Sequence, residues 1–477
     1  MKTGLRLLLV VIPLMVLSAA AYFYFTAPVP VPSAWDFVKT PPAHVDHSDL
    51  ITDKFESGRA VTAVCLDCHE ESGEQMLHNV HYTWLSEPVM VPGREEPIGI
   101  GKRNLLNNFC IGTQSNEAAC SKCHAGYGFN DQKFDFKDVS GVDCLVCHDT
   151  TDTYKKGAGG EPIAGVDLTS VAQNVGRPTR ANCGACHFSG GGGNAVKHGD
   201  LDTSLLYPSA GLDVHMGGLD FQCVDCHVAD DHNIKGRSIS VSVDSKNAVA
   251  CTDCHSTALH DDERITAHID TLACQTCHVP ESAKKYATKM EWYWGDAGLD
   301  KEEILHEFAK KKGSFRYEQG FKPEYRWYNG NNERYLLGDP TVQGGVTPLN
   351  KPLGDINDPT AKIWPFKIHR GNQIADANYG YLLQPQTTTE VGFWTTFDWD
   401  QALINGSKVT GLPYSGEFDF ALTEMFWKQS HMISPATEAL QCLDCHGDDG
   451  RFDWEALGYT GDASRTGGRF SQKGGNQ

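Results

Sequence analysis

Eight copies of one five-residue word, Cys-x-x-Cys-His, constrain this chain more than anything else in it. They stand at Cys65/Cys68/His69, Cys120/Cys123/His124, Cys144/Cys147/His148, Cys183/Cys186/His187, Cys223/Cys226/His227, Cys251/Cys254/His255 and Cys274/Cys277/His278, with Cys442/Cys445/His446 alone near the C-terminus. The word is the attachment site of a c-type haem. Its two thiols add to the porphyrin vinyl groups, and the adjacent imidazole is the proximal ligand to iron. Cysteines two apart also build zinc knuckles and redox dithiols. Neither needs a histidine after the second cysteine, and here all eight pairs have one. Sixteen of the 17 cysteines are used, leaving Cys110.

Eight haems in 477 residues is about one per sixty. Porphyrins then supply much of the apolar interior, so a chain with 48 Gly and 22 Pro needs little core of its own. The expected fold is a multihaem cytochrome c, mainly α-helical and irregular, with low β content. Period-two alternation is weak everywhere except Ile239 to Val243. Helices are expected from the first motif through Trp84, over Lys301 to Lys312 with Leu305 and Phe308 inward, and over Glu417 to Met432. The chain divides into a leader or anchor (1–27), a region with seven motifs (28–280), a separate Cys-free, aromatic-rich unit of helix and loop (281–440), and the eighth motif with a frayed polar tail (441–477). The glycine run within Ser189 to Asn194 is a flexible turn or a place of close backbone approach to a flat ligand.

Lys2 and Arg6 precede an apolar run from Leu7 to Phe25, with small residues at Ser18 to Ala20. That pattern reads as a cleaved export signal or a retained membrane anchor. Either places the protein in the periplasm, where this kind of haem attachment occurs. The net charge of −20 argues against nucleic acid as a partner.

Of 20 histidines, eight are proximal and 12 remain. The distal candidates are His47, His78, His81, His198, His215, His232, His260, His268, His369 and His431. His44 and His306 complete the twelve, and His306, on a charged segment, is the weakest. The supply allows two imidazoles at every haem, so counting cannot find an open iron. Iron with two firm ligands passes electrons; chemistry needs a sixth position that is open or weakly held.

Several stretches resemble the octahaem tetrathionate reductase family of periplasmic cytochromes. They include Asn107-Asn108-Phe109-Cys110, Cys123-His124-Ala125-Gly126-Tyr127-Gly128, Val142-Asp143-Cys144 through Asp149-Thr150, Lys197-His198-Gly199-Asp200, Asp213-Val214-His215-Met216, and Pro365-Phe366-Lys367-Ile368-His369-Arg370. The resemblance covers nearly all of the chain after about residue 44. It implies haems packed in stacked and perpendicular pairs like those of hydroxylamine oxidoreductase, mostly with two imidazoles each. The active haem is then the one at Cys120, Cys123 and His124, with Lys155 or Lys156 as a weak distal ligand and Cys110 close by. It also implies reduction of tetrathionate, nitrite or hydroxylamine, with electrons from a periplasmic or quinol-linked donor, and leaves a calcium ion possible. Two other readings stand beside it: a pure electron carrier, and an oxidase of hydroxylamine. An anionic substrate must overcome the overall charge, so Arg94, Lys102, Arg103, Lys133, Lys137, Lys155 and Lys156 are expected to line its entrance. Intact-mass measurement of the purified protein should exceed the polypeptide mass by eight haems; the bare polypeptide mass would refute the attachment reading.

Overall fold

The computed structural model describes Met15 and residues 33–41, 43–109, 112–257 and 260–469. The leader apart from Met15, the thiol of Cys110 and the last eight residues lie outside the described residues. Two compact units are present, Met1–Lys39 and Thr40–Gln477. In the first, a 3-10 turn at Ala34–Phe37 is capped at Ser33, whose amide donates to Asp36 Oδ2 at 2.7 Å. Among the described residues, no helix is long and apolar enough to cross a membrane.

In the second unit the motifs lie on short helices and turns. The single helix expected from the first motif through Trp84 is instead three: Gly58–Leu66, Glu70–Leu77 and Val80–Thr83. The break before the third comes at Asn79, whose side chain accepts the His81 amide at 2.7 Å and starts a new helix. One helical turn suits the motif, because positions i, i+3 and i+4 share a face. The histidine amide donates to the first cysteine's carbonyl at 2.8–3.1 Å in motifs one, three, five, six and eight. Motifs four and seven lie inside the helices Arg180–His187 and Cys274–His278. The second motif differs: the His124 amide donates to Ser121 at 2.7 Å, closing a 3-10 turn, and His124 itself is extended.

The Cys-free region is built on a seven-stranded sheet, which corrects the expectation of helix and loop there. A small hairpin precedes it, formed by β1 (Ala229–Asp230) and β2 (Asn233–Ile234). The sheet contains β3 (Thr288–Tyr293), β4 (Phe308–Ala309), β5 (Gly313–Glu318), β6 (Glu324–Tyr328), β7 (Thr347–Pro348), β8 (Lys362–Asp376) and β9 (Phe418–Lys428). Their order is β4-β5-β3-β8-β9-β7, with β6 also on β8. β8 is central and buried on both faces, so its sequence does not alternate. β9 pairs with it in antiparallel register over eleven residues where a helix was expected; its aromatic and β-branched side chains fit a pleated surface. Over 301–312 the chain turns instead of coiling. His306 takes φ +67°, Leu305 is exposed, and Phe308 is buried as part of β4. Ile239 to Val243 forms turns, not a strand. The tail is packed: Phe452, Leu457 and Tyr459 join a core with Tyr325, Trp327 and Ile363.

One face of the sheet bears on the second and fourth motif regions through a cluster of Trp292, Trp294, Met425 and Trp427 with Leu106, Phe109 and Val196. β3 can lie parallel against β8 only because position 371 is glycine: a methyl there would overlap the Trp292 carbonyl. Gly371→Ala should destabilise by about 1–3 kcal/mol through overpacking, read as a lowered denaturant midpoint.

Candidate haem ligands and the second motif

Two imidazoles bound to opposite sides of one metal, each nitrogen about 2.0 Å from it and about 1.1 Å from its ring centre, hold their ring centres about 6.2 Å apart. Seven motif histidines face another imidazole at that spacing. The pairs are His69 with His47 (6.4 Å), His187 with His81 (6.1 Å), His148 with His232 (6.4 Å) and His255 with His215 (6.0 Å). The remaining three are His227 with His431 (6.2 Å), His278 with His260 (6.4 Å) and His446 with His268 (6.2 Å). His44 lies 6.0 Å from His47, on neither motif.

The rings are oriented for this use. Nδ1 of His148, His227 and His268 faces a backbone carbonyl at 2.6–2.8 Å. Nδ1 of His81 faces Asn79 Oδ1 at 3.0 Å, and that of His232 faces Gln75 Oε1 at 2.7 Å. His431 and His446 use Asp200 (3.1 Å) and Asp462 (2.6 Å). Fixing Nδ1 leaves Nε2 for the metal and makes it more basic. Burial favours the neutral form that ligation requires in several of these imidazoles: it lowers His81, His148 and His227, and pushes His187 down to about 3. His431 shifts the other way, raised because Asp200 overrides its burial. The residues therefore fit haem at these seven sites.

Three distal candidates do not pair. His78 is exposed beside Glu74 at 3.5 Å. His198 packs edge-on to Trp427 at 4.8 Å. His369 is fully buried 3.9 Å from the Phe109 ring, with both ring nitrogens unpartnered. His306 stacks on Tyr317 at 4.2 Å.

Among the described residues, His124 is the one motif histidine without an opposing imidazole. It sits in an aromatic cage of Tyr82, Trp84, Phe129, Phe134 and Phe136, with ring centres 5.2–6.0 Å away. Its Nε2 donates to the Tyr82 carbonyl, and its buried Nδ1 has no partner. Burial, with the charge of Lys156 adding to it, pushes its pKa down to about 4. Lys156, not the exposed Lys155, belongs to this site. Its amine donates to the carbonyls of His124 (2.5 Å) and Gly126 (3.3 Å) and pairs with Asp143 at 2.5 Å. Asp143 is fully buried and accepts from Tyr127 (2.7 Å) and Tyr154 (3.0 Å). Asp143 and Tyr127 fall in the stretches that carry the resemblance, but nothing in the sequence assigns them or Tyr154 a role at this site. Of the basic residues expected at an entrance, Lys102 lies over Trp84 and Arg103 over Phe136. Lys133 and Lys137 are exposed nearby in sequence, while Arg94 pairs with Asp339.

The motifs adjoin one another. Cysteine sulfurs come within hydrogen-bonding reach between motifs one and three (Cys65, Cys144), two and four (Cys123, Cys186), four and five (Cys183, Cys223), and six and seven (Cys251, Cys274). Cys147 lies near Cys183, Cys226 near Cys254 and Cys277 near Cys442, which links all eight motifs. The second motif joins this array through the fourth.

Cys68, assigned to haem attachment by its motif, departs from the enclosed setting of a binding site. Its partner Cys65 is half-buried, but Cys68 is exposed, as are Cys226, Cys254, Cys274 and Cys442. The cause in the first motif is local. Cys65 lies on the helix Gly58–Leu66 and packs against a cluster containing Val61 and Leu145, whereas Cys68 lies in the turn beyond the helix end. A thioether bond needs the sulfur to reach the vinyl edge of the porphyrin, so the chain itself need not enclose both thiols.

Residues 289–449, from β3 through the eighth motif, match the bacterial cytochrome c family. The crystal structure of an octahaem cytochrome c from Shewanella oneidensis is 46% identical, covers 88% of this chain and 98% of its own, and superposes with a TM-score of 0.84. An uncharacterised protein of Archaeoglobus fulgidus is 26% identical over 247 residues, which is 41% of this chain and 82% of that one. The attachment motifs, the opposed imidazoles and the fold define a multihaem c-type cytochrome. The chain belongs to the octahaem cytochromes c, in line with its resemblance to the octahaem tetrathionate reductases.

Replacing a paired distal histidine, for example His232→Ala, should convert one haem from low to high spin in electron paramagnetic resonance. His78→Ala, His198→Ala and His369→Ala should leave the low-spin count unchanged.

Proposed function

We propose that the protein is an exported terminal reductase of small oxidised sulfur or nitrogen compounds, namely tetrathionate, nitrite or hydroxylamine. The reaction would occur at the second motif, with electrons supplied through the other seven haems packed in the manner of hydroxylamine oxidoreductase. One observation carries this reading: among the described residues, seven motif histidines face an imidazole at 6.0–6.4 Å, and His124 faces none. A haem held there supplies redox-active iron that can accept a substrate atom where no second imidazole blocks it.

The chain's own groups have definable parts. The aromatic cage excludes water from His124. The Lys156 amine beside His124 would be the displaceable ligand of an iron bound there, and Asp143, its partner at 2.5 Å, would hold it as an ammonium. Tyr127 and Tyr154 fix Asp143 in place. Lys102 and Arg103, half-buried over cage rings, provide positive charge close to the site, where the −20 of the whole molecule is least felt. The basic and apolar N-terminus supports export, and a donor outside the cytoplasm would charge the array.

Near-infrared magnetic circular dichroism should resolve one centre that differs from seven bis-histidine haems. Lys156→Met should alter that centre alone and slow reoxidation of the reduced protein by tetrathionate at least tenfold, whereas Lys155→Met should change neither. Eight identical bis-histidine signals, or no reoxidation by tetrathionate, nitrite or hydroxylamine, would leave only electron conduction.

A further inference from the structure

A second cationic site lies on the sheet, apart from the His124 cage. A cavity of about 680 Å³ opens between the glycine run at Gly191–Gly193 and the strands β3, β4 and β5. That volume is in the range of small-molecule sites. At its wall stands Lys289. The register of β3 against β5 shifts between Lys289 and Glu291, and such a bulge re-aims a side chain. Here it turns Lys289 toward Trp292, with the amine 3.3 Å from that ring centre and 4.3 Å from Phe315. Lys289 is only 2% exposed. Lys312 also lines the cavity, and its amine lies against Gly192.

Among the described residues, neither Lys289 nor Lys312 has a carboxylate partner. Glu303, the acidic group at the wall, accepts from the Lys310 amide at 2.8 Å instead. A buried amine without a counter-charge is costly unless something supplies one. Gly191 and Gly192 have φ of +78° and +108°, so side chains that would crowd the mouth are disfavoured there.

We propose that this cavity is an anion site taking a sulfate-like oxoanion between Lys289 and Lys312, with the aromatic rings as its floor. Burial, and then the charge of Lys312, pushes the Lys289 amine down to about 6. An arriving anion would restore its proton. The site stands independently of the reductase reading, because it shares no lining residue with the His124 cage. It is still close to the second motif: Gly191 packs on Phe109 and Lys197, and the charge of Lys197 reaches Cys123. An oxoanion substrate would gather there before moving inward.

The test is calorimetric titration of the oxidised holoprotein with sulfate, which the haems do not reduce. Wild type should bind it, and Lys289→Met should weaken binding at least tenfold with an unchanged haem spectrum. In parallel, acetic anhydride labelling of wild type at neutral pH, mapped by mass spectrometry, should show Lys289 protected at least fivefold by sulfate. The exposed Lys246 should show no protection. If the variant fails to accumulate, the labelling decides. No sulfate binding, equal affinity in wild type and variant, or labelling of Lys289 indifferent to sulfate would overturn the site. Reoxidation by tetrathionate is scored separately and bears only on the reductase reading.

Discussion

The opposition of two imidazoles across one metal position is the constraint from which the rest of this structure follows. Each motif supplies one ring through a local helical turn, and the second ring must come from elsewhere. His81, just after the first motif, faces the histidine of the fourth; His232, after the fifth, faces that of the third; His431, beyond the sheet, faces that of the fifth. The pairs thus bring together segments far apart in sequence within the compact unit 40–477. The supporting carboxylates belong to the same scheme. Asp200 holds both the His431 ring and its amide, so one buried charge fixes a distal ligand and the chain around it.

The sheet adds what the helical turns cannot: a rigid face carrying buried cations. Lys367 and His369 project from β8 beside Trp427 and Met425 of β9. The Lys367 amine is fully buried and held by three oxygens, from Val196, Lys197 and Thr288, at 2.6–3.3 Å. No carboxylate among the described residues pairs with it. A molecule carrying a net charge of −20 therefore keeps amines inside that burial drives toward the neutral form, next to the regions of the second and fourth motifs. Steering by surface charge would repel an anion, whereas a low-dielectric basic interior attracts one at short range.

Covalent chemistry was legible in the sequence because it is local. The motif fixes both cysteines and the proximal histidine within five residues, and the resemblance to the octahaem tetrathionate reductases singled out the second motif, whose histidine faces no imidazole among the described residues. How far the chain wraps each thiol was not legible, since Cys65 and Cys68 share one motif yet differ in burial. Distal partners were only partly legible. Seven of the ten candidates pair, but nothing in the local sequence separates His198 and His369 from the paired histidines. What distinguishes them is the partner across the space, a tertiary fact. The sheet was missed for a related reason. β8 is covered on both faces, so Lys367, His369 and Gln373 interrupt an apolar run without the alternation that marks a half-exposed strand. The helix expected at 301–312 had acids early and lysines late, yet edge pairing of Phe308 with β5 and the left-handed backbone of His306 outweighed that propensity.

The departure at the second motif begins in the backbone. Elsewhere the histidine is the fifth residue of a helical turn, its amide bonded to the first cysteine. At His124 the turn closes one residue early and the chain leaves in an extended conformation. The extended exit lets Ala125 and Val142–Asp143 approach, with the Asp143 amide donating to Ala125 at 3.0 Å. It thereby delivers Asp143, Tyr127 and Lys156 to a place where an i+4 helical turn would have carried the chain away. His446 also leaves its motif extended yet faces His268 at 6.2 Å, so the early-closing turn goes with the buried amine and carboxylate at the second motif rather than with the missing imidazole. Each of the other seven motif histidines faces an imidazole at 6.0–6.4 Å, so among the described residues the second motif stands apart by its geometry.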